Sequence, residues 1–126
     1  MRPGNRTVGA RLRIVLDRGV AIGPGKADLL QGIAETGSIA AAGRRMGMSY
    51  KRAWQLVGAM NIDFGRAVVR AAKGGSRGGG ARLTSLGEEV LERYRGMERL
   101  TSQAIRNELR SLHRLLHASG SKGRRA

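Results

Sequence analysis

The side chains best suited to chemistry follow Ser49, in a stretch whose apolar residues recur at helical spacing. On a helix of about 100° per residue, Lys51, Arg52 and Gln55 lie opposite those apolar positions. Arginine and lysine can donate hydrogen bonds to O6 and N7 of guanine, and glutamine can pair with adenine. This pattern predicts a helix that presents polar side chains to base edges in the major groove of DNA.

Neighbouring side chains are candidates for other contacts with a nucleic acid. Lys51 could equally hold a phosphate, as could the hydroxyl group of Ser49. Tyr50 and Trp54 flank the apolar face of the predicted helix. We therefore interpret these two aromatic residues as framework residues in preference to base-stacking ones.

A short helix is predicted just before this stretch, over Ile39–Met46. Ser38 can cap it by accepting a hydrogen bond from a backbone N–H two or three residues further on. The end of this helix carries Arg44 and Arg45, which are further candidates for phosphate contacts.

A tight turn would join the two helices. Ala42 and Gly43 are small enough to let the helices cross closely, and Gly47 can adopt a positive φ. Ser49 can cap the following helix, which we expect to extend to about Phe64. The pattern is typical of a helix-turn-helix, and an ordinary α-hairpin is the alternative.

A glycine-rich hairpin is predicted after this helix. Ala67–Ala72 and Ala81–Leu83 have the composition of short strands, and five of the seven residues 74–80 are glycine. Lys73 and Arg77 lie at its tip. In a winged domain such a hairpin lies along the DNA backbone or enters the minor groove. A flexible solvated loop is the alternative interpretation.

The flanking sequence predicts the remaining elements. Leu12–Asp17 has the composition of a short strand, and a helix should begin at Gly25 or Lys26 and end at Gly37. A capping box at Ser85, or Thr84 in its place, would start a last helix that continues past Leu116. The apolar spacing of this last helix changes phase between Met97 and Ile105, so it is not a regular heptad repeat.

Composition limits the classes of function. The chain has 126 residues with a formal net charge of +15, which favours a polyanionic partner, nucleic acid before an anionic membrane. A generally basic proteome or a solubility device is the alternative explanation. There is no cysteine, which excludes disulfides and thiol chemistry. No apolar run approaches the length of a membrane span and no signal peptide is recognisable, so we expect a cytoplasmic, nucleoid-associated protein.

The sequence contains no complete motif for an enzyme active site or a metal site. A phosphate-binding loop around Gly25–Lys26 fails because its other required positions are Val20 and Ala27. His113 and His117 share a helix face, but two ligands without a third predict a solvated pair in preference to a metal site. We predict no catalytic residue, no metal and no cofactor.

The segment from about Gly23 to Leu100 resembles the N-terminal DNA-binding domain of the ModE family of molybdate-dependent regulators, and more distantly the LysR-type winged domain. The resemblance rests on Gly37–Ser38–Ile39, Met48–Trp54, Met60–Asn61, the glycines from Gly74 to Gly80, and Leu83–Thr84. It implies an α+β, mainly helical winged helix-turn-helix with a short N-terminal strand, a two-stranded wing and a long C-terminal helix. The predicted DNA contacts are Ser38, Arg44, Arg45, Ser49, Tyr50, Lys51, Arg52, Gln55, Lys73 and Arg77.

The resemblance also implies a homodimer on a palindromic double-stranded operator. In such proteins the helix after the wing pairs with its mate, and the alternative is that this helix packs only on its own domain. The predicted dimer contacts are Val90, Tyr94, Met97, Ile105, Leu109 and Leu112.

One departure from the family concerns the sensor. Full-length ModE proteins carry a C-terminal oxyanion-sensing region, and nothing after Leu100 has its strand-rich pattern. The resemblance therefore supports DNA binding without molybdate sensing or a small-molecule site in this chain. The sequence leaves open a sequence-independent architectural DNA-binding protein and a protein-interaction module that acts through its last helix.

The predicted organisation has four parts. Residues 1–10 form a disordered basic arm, residues 11–100 the winged helix-turn-helix, residues 101–118 the continuation of the dimerisation helix, and residues 119–126 a disordered basic tail.

Overall fold

The structure, a computed structural model, describes residues 9–73 and 79–120, apart from the side chains of residues 73, 79 and 117–120. Five helices and two antiparallel hairpins make up this part of the chain. The elements are β1 Ile14–Asp17, β2 Val20–Ile22, α1 Pro24–Thr36, α2 Ile39–Arg45, α3 Tyr50–Phe64, β3 Val69–Lys73, β4 Gly79–Leu83, α4 Ser85–Ala104 and α5 Arg106–Gly120. Strand β1 pairs with β2 and β3 with β4. Most of the predicted arm and tail, and Arg77 at the wing tip, lie outside the described residues.

The first three helices cross at contacts between small residues. A Cβ atom added to Gly32 of α1 would lie 2.9 Å from the Cβ atom of Ala42 in α2. One added to Gly43 would lie 3.1 Å from that of Ala53 in α3. The prediction that Gly43 permits a close crossing of α2 and α3 is confirmed. Ala42, predicted at the same crossing, instead packs against Gly32 where α1 and α2 cross.

The turn between α2 and α3 also follows the prediction. Gly47 has a φ of 73°, which a residue with a Cβ atom rarely adopts. The Met48 N–H donates to the Gly43 carbonyl at 3.0 Å and closes the turn. Helix α2 ends at Arg45, with Met46 as its C-cap, one residue before the predicted end.

The main core is aliphatic and lies between helices α1, α2 and α3 and the wing, which consists of β3 and β4. Its largest fully buried side chains are those of Leu29, Leu30, Ile33, Val57, Met60 and Val68. Burial of such side chains stabilises the fold by about 1.5–3 kcal/mol each. The second strand of the wing joins this core because Ala81 and Leu83 face inward.

A second, smaller core contradicts one predicted dimer contact. Tyr94 of α4 is fully buried against Ile22 and Ala27, and its hydroxyl donates to the Leu12 carbonyl at 2.6 Å. This burial raises the pKa of the Tyr94 phenol. The side chain is thus enclosed by its own chain and has no surface for a partner. The strand β2, which the sequence did not predict, supplies one wall of this core.

The predicted last helix is divided into two. Thr84 caps α4 by accepting from the Gly87 N–H at 3.1 Å, and α4 ends at Ala104. Ile105 has a φ of −96° and a ψ of 5°, and α5 begins at the next residue. The break lies where the apolar spacing changes phase. Among the described residues, no helix has the length and apolar character that crossing a membrane requires.

Candidate nucleic-acid interface

Helix α3 has one face in the core and one in solvent. Ala53, Val57 and Met60 are at most 2% exposed. Lys51, Arg52, Gln55 and Ala59 are all exposed. The division of faces predicted from the sequence is therefore confirmed, and the three polar side chains share a solvent-facing surface.

The positive charges on the exposed face of α3, at Lys51 and Arg52, are not neutralised by ion pairs within the described residues. Asp63, the acidic residue of α3, lies near its end, where one carboxylate oxygen is 3.8 Å from the Lys26 ammonium. Among the described residues, neither the Lys51 ammonium nor the Arg52 guanidinium has an ion-pair partner. Both cations are thus available to an anionic or hydrogen-bonding ligand.

Two serines cap the helices of the motif. The Oγ atom of Ser38 accepts from the Ala41 N–H at 3.0 Å, and that of Ser49 accepts from the Arg52 N–H at 3.0 Å. A hydroxyl that accepts a hydrogen bond still has its own hydrogen to donate. Each serine can therefore cap its helix and donate to a phosphate at the same time.

Tyr50 and Trp54 form an exposed aromatic pair, which contradicts their interpretation as framework residues. Their side chains are 57% and 46% exposed, and neither belongs to a core cluster. The ring centroids are 6.1 Å apart with an interplanar angle of 80°. Trp54 is thus a surface residue that our predicted contacts omitted, although its i, i+4 spacing from Tyr50 placed both on one stripe.

The two arginines at the end of α2 differ in their surroundings. Arg45 forms an ion pair with Glu35 of α1, whereas Arg44 is exposed and has no ion pair among the described residues. Hydrogen bonds from Arg45 and then from Gln31 lower the pKa of the Glu35 carboxyl. Glu35 is therefore ionised at neutral pH, and it competes with any phosphate for Arg45.

The wing is fixed at its base to the end of α3. The Oδ1 atom of Asn61 accepts from the Val68 N–H at 2.8 Å. The Thr84 hydroxyl donates to the Ala67 carbonyl at 2.7 Å. Lys73 ends β3, but its side chain is outside the described set. The predicted contacts of Lys73 and Arg77 with DNA thus remain predictions.

The described residues contain no group of three or more His, Cys, Asp or Glu side chains that could hold a metal ion. His113 is exposed on α5.

Comparison with curated proteins finds relatives that regulate transcription or bind molybdenum compounds. The chain is 43% identical over 101 residues to the molybdenum-pterin-binding protein MopB of Rhodobacter capsulatus, which is 79% of this chain and 37% of MopB. It is 33% identical over 94 residues to the DNA-binding transcriptional dual regulator ModE of Escherichia coli K12, which is 75% of this chain and 36% of that protein. No protein-family model matches.

These relatives confirm the resemblance to ModE-type proteins that the sequence predicts. The chain spans about a third to a half of the length of the curated relatives it matches.

Comparison with solved structures confirms the fold. The CbnR_DBD–DNA complex matches with a TM-score of 0.55 and 23% identity, over 70% of this chain and 95% of that one. CbnR is described as a LysR family transcriptional regulator. The architecture is therefore the winged helix-turn-helix that the sequence predicts.

Proposed function

We propose that this chain is a sequence-specific, DNA-binding transcriptional regulator of the ModE type. Helix α3 would lie in the major groove, and the wing would contact the backbone or the minor groove. The observation that carries the proposal is the exposed face of α3, where Lys51, Arg52 and Gln55 project from a helix whose other face is buried. The net charge of +15 and the E. coli ModE relative support the same function.

Each part of the α3 face has a distinct role in this proposal. Arg52 and Gln55 would form hydrogen bonds with base edges, which specify sequence. Lys51, Ser49 and Ser38 would bind phosphates, which fix the position of the domain on the duplex. Because α3 is held against α2 at the Gly43–Ala53 contact, the base-reading side chains start from a rigid support.

We also propose a homodimer that acts in the cytoplasm, on the nucleoid. The exposed leucines Leu112 and Leu116 lie four residues apart on α5 and are 62% and 60% exposed. Val90 and Met97 are partly buried against their own domain, and Ile105 and Leu109 are half-buried. The proposed dimer surface therefore lies on α5 and includes the end of α4, where Leu100 is 67% exposed. A two-fold axis there would match a palindromic operator.

Selection of duplexes from a randomised pool, followed by fluorescence anisotropy, tests the proposed function. We expect the chain to enrich a palindromic sequence. The double variant Arg52→Ala, Gln55→Ala should bind that duplex at least about tenfold more weakly, because a good base contact contributes about 1–3 kcal/mol of discrimination. Arg93→Ala, at an exposed α4 arginine paired with Glu89, is the matched control.

The same measurement distinguishes the proposed regulator from a sequence-independent architectural protein. An architectural DNA-binding protein would bind random and selected duplexes with equal affinity. The Arg52→Ala, Gln55→Ala variant of such a protein would lose affinity for both duplexes by the same factor. Either result would contradict a sequence-specific regulator.

A further inference from the structure

Three arginines line a cleft beside the wing that no predicted contact includes. Arg66 precedes β3, Arg70 lies in β3 and Arg82 lies in β4. The cleft has a volume of about 870 Å³ and is bounded by the end of α1, the wing and the start of α4. Glu88 is the acidic residue in its described lining, so the three guanidinium groups leave the cleft positive.

The position of two of these arginines is electrostatically unfavourable. Arg70 and Arg82 are directly opposite each other in the β3–β4 pairing, on the exposed face of the hairpin. Like charges opposite each other in antiparallel strands repel and destabilise the pair. Within residues 9–73 and 79–120, no hydrogen bond or ion pair joins any of the three guanidinium groups to another residue. Such an uncompensated cluster indicates an anionic partner outside the chain.

The cleft is next to the helix-turn-helix. Gly37 is one of its lining residues, and the next residue, Ser38, caps α2. The Ala81 N–H of β4 donates to the Gly37 carbonyl at 2.9 Å, which fixes the wing strand against this turn. A Cβ atom at Gly80 would lie 3.0 Å from the same carbonyl oxygen. The start of α2 and the strand that carries Arg82 therefore lie side by side, so that one extended anion can contact both.

We propose that Arg66, Arg70 and Arg82 bind phosphates of the DNA backbone beside the segment that α3 reads. This proposal rests on the proposed function and adds to it the residues at the base of the wing that would make the backbone contacts. Guanidinium groups bind phosphate oxygens through paired hydrogen bonds, which suits a cluster of three on one wall. The contacts strengthen binding to every duplex and leave the choice among duplexes to α3.

Salt dependence of binding tests this surface. The variants Arg70→Gln, Arg82→Gln and their combination are titrated against the selected duplex and against an unrelated duplex of equal length, at several salt concentrations. Each lost phosphate contact should reduce the slope of log Kobs against log salt by about 0.9. Affinity should fall by the same factor on both duplexes, so the preference between them stays constant. Arg93→Gln removes the same charge from α4 and should leave the slope at the wild-type value.

Two further measurements distinguish a loss of charge from a loss of folding stability. Replacing the same residues by lysine keeps the charge and should preserve most of the slope. Thermal unfolding should show an unchanged or higher Tm for Arg70→Gln, since like-charge repulsion across the hairpin is relieved.

The outcomes separate this inference from the proposed function. If the glutamine double variant keeps the wild-type slope while Arg52→Ala, Gln55→Ala loses the selected duplex, the phosphate surface is wrong and the regulator stands. If the glutamine variant instead loses calorimetric binding of inorganic phosphate with no change in slope, the cleft takes a free anion and the backbone assignment is overturned. If the wild-type chain binds no duplex, both proposals fail.

Discussion

Gly32 and Gly58 are both helical glycines, but their surroundings differ. A Cβ atom at Gly32 would meet that of Ala42 at 2.9 Å, whereas one at Gly58 of α3 would have no neighbour within 4 Å. We expect Gly32→Ala to force α1 and α2 apart at a cost of about 2 kcal/mol. This exceeds the gain of about 1 kcal/mol from the better helix propensity of alanine.

Gly58→Ala is the matched control for that substitution. Without a steric conflict, alanine should stabilise α3 by about 0.5–1 kcal/mol and raise the Tm. Thermal unfolding followed by circular dichroism compares the two variants. An equal rise in Tm for both would contradict the tight crossing of α1 and α2.

Glu35 limits what Arg45 can offer to DNA. Because the Arg45–Glu35 pair lowers the pKa of Glu35, the carboxylate stays charged at neutral pH and the pair persists there. Glu35→Gln should free the guanidinium and steepen the salt dependence of DNA binding by up to about one phosphate contact. Glu89→Gln releases Arg93 on α4 and should have no such effect. An identical salt slope in wild type and Glu35→Gln would exclude Arg45 from the interface.

At the scale of elements, Asn61 joins α3 to the base of the wing. Its Oδ1 atom accepts from the N–H of fully buried Val68 at 2.8 Å. Asn61→Ala would leave this donor unsatisfied, at a cost of about 1–3 kcal/mol. Asn61→Asp keeps the acceptor and should cost less. Hydrogen exchange at the Val68 amide, together with Tm, measures the effect, and unchanged protection in Asn61→Ala would show that the anchor is unimportant.

Local patterns predicted the elements of the helix-turn-helix well. The Ser38 and Ser49 caps, the Gly47 turn and the buried face of α3 all depend on contacts between residues at most five positions apart. Such short-range chemistry is visible in a sequence because the spacing itself encodes the contact.

What the sequence could not predict depends on distant contacts. Strand β2 has three residues, too few for a periodic pattern, and it forms only by pairing with β1. Tyr94 is buried against Ile22 and Ala27, and its hydroxyl donates to the carbonyl of Leu12, 82 positions away. The apolar spacing of α4 was compatible with a dimer interface or with this internal core, and only the tertiary packing distinguishes them. The arginine cleft likewise depends on strand register and on the approach of α1 to β4.

At the scale of the whole molecule, the exposed leucines of α5 allow a test of the proposed dimer. Leu112→Glu combined with Leu116→Glu should convert the proposed dimer to a monomer, because burying two carboxylates in an apolar contact is unfavourable. Sedimentation equilibrium measures the change. Asn107→Glu introduces a single carboxylate elsewhere on α5 and should leave the dimer intact. A wild-type chain that is monomeric at all concentrations, or a double variant that still dimerises, would contradict this interface.

The division of α3 into two faces has a practical consequence for redesign. Its packing against the rest of the domain depends on Ala53, Val57 and Met60, none of which faces solvent. The outward positions of Arg52 and Gln55 can therefore be exchanged without repacking the interior. Under the proposed function, changing a few surface residues of α3 would alter the base preference, while the folding stability would still depend on the buried residues.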